Sequence, residues 1–120
     1  MKIDESLYWI YVFLTLLYIV LMFIGSLIPG IGGIGILSHN KVMYFLHFIE
    51  FVILGFLLFK VFYFYGSKNP HLMVFSFGII IAFLTEFVQL FISYRSFNVL
   101  DIAADGIGLL VALYLVGLIK

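Results

Sequence analysis

Four long apolar blocks, separated by short polar connectors, dominate the pattern of residues along the chain. The blocks cover residues 7–28, 41–65, 71–92 and 100–119. Each is long enough to cross the hydrocarbon core of a bilayer, which takes about 20 residues of helix. Because lipid offers no hydrogen bonds to an exposed backbone, such blocks are expected to be helical. The pattern predicts an all-α, polytopic membrane protein, with one four-transmembrane-helix domain over residues 1–120.

The composition strengthens this prediction. Of the 120 residues, 66% are hydrophobic and 10% are charged, and the mean hydropathy is +1.31. A small soluble domain keeps too much surface to hide that many apolar side chains, so the lipid bilayer is the expected surrounding. The net charge is zero, which argues against a nucleic-acid partner. The absence of cysteine excludes disulfides and thiolate metal sites.

The basic residues give the expected orientation in the membrane. Alternating spans place Lys2, Lys60, Lys68 and Lys120 on one side, and Lys41 and Arg95 on the other. Lysine and arginine are enriched on the cytoplasmic side of membrane proteins. The four-to-two distribution predicts a multi-pass protein with both termini in the cytoplasm.

Seven polar residues fall near one end of the predicted bundle. They are His47, Glu50, Glu86, Gln89, Arg95, Asp101 and Asp105. At 1.5 Å per residue, the two on the second helix lie about 9 and 13 Å inside the span, and the two on the third lie about 9 and 4 Å from its end. The two aspartates occupy the first two turns of the fourth helix. Since ionisable residues inside a span are costly and usually functional, this convergence predicts an outward-facing polar pocket.

Small residues spaced four apart point to the way in which the last two helices pack. They are Gly78 and Ala82 on the third helix, in line with Glu86, and Ala104, Gly108 and Ala112 on the fourth. Such stripes let membrane helices approach closely. We therefore expect the third and fourth helices to pack antiparallel through these stripes, which brings Glu86 next to the two aspartates.

The chemistry of the polar residues leaves several interpretations open. Carboxylates with a histidine suit a hard divalent cation or general acid–base catalysis, although the pattern assigns no catalytic role and no definite cofactor. A purely structural network, with Arg95 paired to Asp101 or Glu86, is the alternative. Individually, His47 is also explained as a hydrogen-bonded bundle histidine and Asp101 as a helix cap. The excess of four acids over one arginine and one histidine favours a functional site over a structural lock.

At these same positions the chain resembles the VanZ-like family of small bacterial membrane proteins. The matching elements lie on all four helices. They are Ser26 with Pro29-Gly30 at the end of the first helix, His47-Phe48 with Glu50-Phe51, Leu54-Gly55 and Leu57-Leu58 on the second, Glu86 and Gln89 at the end of the third followed by Arg95, and Asp101, Asp105 and Gly108 on the fourth. The resemblance covers nearly the whole chain. It departs at Asp105, where the family usually has asparagine.

The resemblance implies a location in the bacterial cytoplasmic membrane and a link to low-level resistance to teicoplanin, a lipoglycopeptide. It favours an envelope protein that handles a lipoglycopeptide or a lipid-linked cell-wall component through the polar pocket. The alternative is an intramembrane enzyme that uses the clustered acids and His47, with or without a divalent metal, on a lipid-linked substrate. An accessory subunit whose charges bind another membrane protein is the third interpretation.

Overall fold

The computed structural model describes residues 5–27, 40–89, 91 and 99–119. Within these ranges the chain forms four helices: α1 (Glu5–Leu27), α2 (Asn40–Tyr65), α3 (Pro70–Gln89) and α4 (Val99–Ile119). Each contains an apolar span of 19 to 21 residues, enough to cross a membrane. The predicted four-helix, all-α membrane fold is confirmed.

The helix boundaries agree with the hydropathy pattern to within two residues, except at the end of α3. The sequence predicted that this helix continues to residue 92, but it ends at Gln89. The reason is visible in the backbone, where the amide of Phe91 donates to the carbonyl of Val88, 3.1 Å away. This bond to the third preceding residue is of the 3₁₀ type, which is common in the last turn of an α-helix. Hydropathy alone does not detect such a turn, because Leu90, Phe91 and Ile92 are as apolar as the helix before them.

The tight turn between α2 and α3 makes these helices antiparallel neighbours. Gly66 has φ of 90°, a conformation that glycine adopts without strain. The amides of Gly66 and Ser67 bond back to the carbonyls of Tyr63 and Phe62, which is the Schellman arrangement for ending a helix. Three residues later, the Asn69 side chain accepts a hydrogen bond from the Leu72 amide, and Pro70 occupies the first turn of α3.

The most extensive helix pair is α2 with α4, and the two run parallel. Their close approach depends on two glycines. A Cβ atom on Gly108 would lie 2.5 Å from the carbonyl oxygen of Phe48, and one on Gly55 would lie 2.6 Å from the Cβ of Ala112. Leu54 of α2 and Leu109 of α4 are fully buried in the core beside this contact. The backbones of α2 and α4 are therefore held at a separation that any side chain at position 108 would increase.

The structure corrects the predicted packing of the small-residue stripes. Gly108 and Ala112 face α2, not α3 as the sequence suggested. Gly78 of α3 instead accommodates the side chain of Leu109, whose atoms lie as close as 2.5 Å to a Cβ built there. Successive helical residues point about 100° apart, so α4 presents position 108 to one neighbour and position 109 to the other. The contact between α3 and α4 thus places Gly78 against the side chain of Leu109.

Helix α1 lies against α2 and leaves most of its surface outside the bundle. Tyr11 stacks on Phe64 at a ring distance of 5.7 Å, and the hydroxyl of Tyr18 donates to the backbone carbonyl of Glu50 at 2.8 Å. Many of its remaining large apolar residues are exposed, as Phe13 is to 65%. In a membrane this surface faces lipid tails, which are as apolar as the side chains themselves.

Candidate functional site

Four of the predicted polar residues meet inside the bundle, and we call them the polar cluster: His47, Glu86, Asp101 and Asp105. Glu86 and Asp105 are 0% exposed, and His47 and Asp101 are 7% and 8% exposed. The cluster lies at the end of the bundle where α2 and α4 begin and α3 ends. Asp101 is in the first turn of α4, where the positive end of the helix dipole favours a carboxylate.

The imidazole of His47 connects the two aspartates. Its Nδ1 lies 2.9 Å from Oδ1 of Asp105, and its Nε2 lies 3.9 Å from Oδ2 of Asp101. The aspartates are four residues apart and thus share a face of α4, so one ring can present a nitrogen to each. An ionised carboxylate accepts hydrogen bonds and cannot donate, so Nδ1 carries the hydrogen when Asp105 is charged. When the ring is neutral, Nε2 then carries the lone pair, on the side of Asp101.

Glu86 brings a third helix into the cluster. One side-chain atom from each of His47, Glu86 and Asp101 lies within 4.8 Å of the others. The predicted approach of Glu86 to Asp101 is thus found, although the helix contact that produces it differs from the one expected. The parallel packing of α2 and α4 supplies the imidazole and the aspartates, and α3 adds the glutamate from the opposite chain direction.

Two carboxylate oxygens in the cluster have no hydrogen-bond partner among the described residues: Oδ1 of Asp101 and Oδ2 of Asp105. Both atoms are buried. A buried polar group without a partner typically costs about 1–3 kcal/mol, and a charged one costs more. The two oxygens are therefore positions where a hydrogen-bond donor or a cation would bind favourably.

Of the other three predicted site residues, the structure describes the side chain of only one. Glu50 is half-buried one turn further along α2, within electrostatic range of His47 and Asp105. Gln89 is the last residue of α3, and its side chain is not among those described. Arg95 lies outside the described residues. The proposed parts of Gln89 and Arg95 in a pocket stay predictions.

Sequence analysis missed one polar contact near the site, the bond from Tyr18 to the backbone of Glu50. Its signal was available. Tyrosines in membrane helices concentrate at the two interfaces, where the hydroxyl reaches water. Tyr18 lies in the middle of α1, so its hydroxyl needs a partner inside the bundle. The bond ties α1 to α2 one turn from His47.

The arrangement of the polar cluster allows two kinds of chemistry, proton transfer and the binding of a cation. The His47–Asp105 pair can hold and pass a proton, because a carboxylate that fixes one ring nitrogen leaves the other to act as acid or base. The nitrogen and the carboxylates of Glu86 and Asp101 can also act together as ligands.

Comparison with protein families gives a match over most of the chain. The family model described as VanZ/LLP1 matches residues 6–120, which is nearly the whole chain. No curated protein matches the chain, and no solved structure does.

Proposed function

Because the chain belongs to the VanZ/LLP1 family, we propose that it is an envelope protein that handles a lipid-anchored ligand at the polar cluster. The ligand class is a teicoplanin-type lipoglycopeptide or a lipid-linked cell-wall component. The location is the bacterial cytoplasmic membrane, with both termini in the cytoplasm. The consequence for the cell is reduced susceptibility to glycopeptide antibiotics.

The observation that supports this proposal is the burial of three carboxyl groups and an imidazole in helices that are long enough to cross a membrane. Burying ionisable groups in lipid costs free energy, and apolar residues of similar size would stabilise the bundle at least as well. Two oxygens of the cluster also have no hydrogen-bond partner among the described residues, which a purely structural network would avoid. A ligand that supplies donors or positive charge accounts for both features.

The orientation follows from the basic residues. Lys60 and Lys68 lie at the end of the bundle opposite the cluster, with the N-terminus of α1. If this basic end is cytoplasmic, the cluster faces the outer leaflet, where lipid-linked cell-wall components and lipoglycopeptides are found. Gln89 and Arg95 follow Glu86 in the chain and would extend the pocket towards the membrane surface. Arg95 would supply a cation to an anionic headgroup.

The first test is antibiotic susceptibility. The gene is expressed in a glycopeptide-susceptible host, and the minimal inhibitory concentration of teicoplanin is measured for the wild type and for Glu86→Gln and Arg95→Ala. We expect both variants to lose the whole increase in resistance, because each removes a group that the ligand needs while insertion in the membrane is unaffected. The matched control is His71→Gln, at the opposite end of the bundle, which should keep the increase. Full resistance in both site variants, at equal protein levels in the membrane, would contradict the proposal.

The second candidate function, an intramembrane enzyme, is favoured by the 2.9 Å contact between His47 and Asp105. This pair has the geometry of a general base with the carboxylate that orients it. The reaction class would be acid–base chemistry on the head group of a lipid-linked substrate. Incubation of purified protein with labelled isoprenoid and phospholipid substrates tests it, and product formation that disappears in Asp105→Leu would favour the enzyme. The absence of turnover across the panel would leave ligand handling as the preferred function.

A further inference from the structure

We propose that His47, Glu86 and Asp101 bind a divalent transition-metal ion, with Zn²⁺ and Mn²⁺ as the chemical class. The three residues come from three different helices, α2, α3 and α4. The site would therefore also join the helices at this end of the bundle. It goes beyond ligand handling and does not depend on it.

The distances between the side-chain atoms fit one shared ion. The three potential ligand atoms lie within 4.8 Å of one another, and Nε2 of His47 is 3.9 Å from Oδ2 of Asp101. Ligands at about 2.0–2.2 Å from a tetrahedral ion are roughly 3.3–3.5 Å apart, so side-chain rotations that bring these atoms up to about 1.5 Å closer together would complete the site. A separation of 3.9 Å is too long for a hydrogen bond. It is only slightly longer than the distance between two atoms that bind the same metal ion.

Asp105 places the histidine for this role. A histidine that binds a metal usually donates its other ring hydrogen to a carboxylate or carbonyl, which fixes both the tautomer and the direction of the ring. Here Nδ1 is engaged by Asp105 at 2.9 Å, and Nε2 is turned towards Asp101. Asp105 is thus a positioning residue and not one of the three proposed ligands.

A second indication of a cation comes from the Oδ1 atom of Asp101. Asp101 is 8% exposed, and this atom has no hydrogen-bond partner among the described residues. A divalent ion would satisfy the carboxylate and offset the two negative charges of Glu86 and Asp101. Charge compensation matters here, because uncompensated charges in a low-dielectric interior are strongly unfavourable.

The ligand types narrow the choice of ion. Imidazole nitrogen favours zinc and other transition metals over magnesium and calcium, whereas carboxylates accept either class. Three protein ligands leave at least one coordination position open, as in catalytic zinc sites. That position would take water or an anionic oxygen, such as a phosphate of a lipid head group.

The test is direct metal binding. The full-length protein, carrying a histidine-free affinity tag, is purified in mild detergent, stripped with a chelator and equilibrated with Zn²⁺ or Mn²⁺ alone. Metal content is measured by elemental mass spectrometry, and affinity by competition with a chromophoric chelator. We expect about one ion per chain in the wild type. Glu86→Gln and Asp101→Asn should bind at least about 100-fold more weakly, and Asp105→Leu about 10- to 100-fold more weakly.

Two variants serve as controls for this experiment. Glu50→Gln removes a nearby acid outside the proposed ligand set, and His71→Gln removes a histidine at the other end of the bundle. Both should keep about one ion per chain. His71→Gln should also keep the wild-type affinity, whereas Glu50→Gln should weaken it far less than the ligand variants do, because Glu50 lies only within electrostatic range of His47. All variants are checked for helix content and monodispersity. Co²⁺ provides a second readout, since its visible absorption reports direct coordination and should be lost in the ligand variants.

The proposal is overturned if the wild type binds neither ion stoichiometrically, or if Glu86→Gln and Asp101→Asn retain the ion at full affinity. Its failure is distinguishable from failure of the proposed function. A metal-free protein whose Glu86→Gln variant loses resistance overturns the metal site alone. A protein with one bound ion and no effect on susceptibility overturns the ligand-handling role alone.

Discussion

Replacing His47 by leucine should destabilise the bundle by about 2–4 kcal/mol, because the change leaves Asp105 buried without its hydrogen-bond partner. Asp105 is 0% exposed, and its Oδ2 already has no partner among the described residues. Removing one member of a buried charged pair typically costs 3–5 kcal/mol in soluble proteins. Polar contacts between membrane helices average only about 0.6 kcal/mol, since the unfolded state in the membrane also finds partners. The expected destabilisation of about 2–4 kcal/mol lies between these two values, because the group left unpaired is a carboxylate and not a neutral polar group.

The double variant His47→Leu/Asp105→Leu distinguishes two quantities. One is the net contribution of the pair to the stability of the bundle, and the other is the destabilisation caused by leaving one buried partner unpaired. Removing both polar groups leaves no orphaned carboxylate at position 105, so its stability should return to within about 1 kcal/mol of the wild type. The measurement is unfolding in mixed micelles of increasing SDS content, followed by circular dichroism. A single variant as stable as the wild type would show that the 2.9 Å contact carries no structural weight.

The second large effect is expected at Gly108. Alanine there would place its Cβ 2.5 Å from the Phe48 carbonyl oxygen and 3.2 Å from the Val52 amide nitrogen, both backbone atoms of α2 that cannot rotate away. Overpacking of this kind costs about 1–3 kcal/mol, and backbone neighbours place Gly108→Ala near the upper end. The helices would have to separate, and α2–α4 is the most extensive contact in the bundle.

Gly117→Ala is the matched control for this prediction, since it is on the same helix and a Cβ there has nothing within 4 Å. It should be neutral or slightly stabilising, because alanine is the better helix former. The same SDS titration compares the two variants. Equal stability of Gly108→Ala and Gly117→Ala would contradict the packing of α4 on α2.

The sequence predicted the number of helices and the convergence of polar residues because both depend on spacing along a helix. Blocks of about 20 apolar residues and a rise of 1.5 Å per residue are sufficient to place His47, Glu86 and Asp101 at the same end of the bundle. Depth does not determine which helices are neighbours. That choice depends on how side chains interlock, and the stripe containing Gly108 and Ala112 fits any close partner.

The contacts within the site could not be predicted from the sequence either, because they depend on which helices are neighbours. Pairs such as His47 with Glu50 are visible as neighbours on one helix, but the observed partner of His47 is Asp105, 58 residues away. Alternate crossing of the membrane makes α2 and α4 parallel, but the contact also requires them to lie side by side, and their close approach depends on Gly108 and Gly55 rather than on the polar residues. The mid-helix position of Tyr18 indicates that its hydroxyl needs a partner inside the bundle, but the sequence does not identify that partner, because it is a backbone carbonyl.

We infer that the polar cluster is required for the function of the protein and does not only hold the helices together. The double variant His47→Leu/Asp105→Leu tests it most directly, through the minimal inhibitory concentration of teicoplanin at a membrane protein level matched to the wild type. We predict a stable bundle, in a host that is as susceptible to teicoplanin as one carrying the empty vector. A double variant that keeps the full wild-type resistance would contradict it, because the buried histidine–aspartate pair would then be dispensable for function.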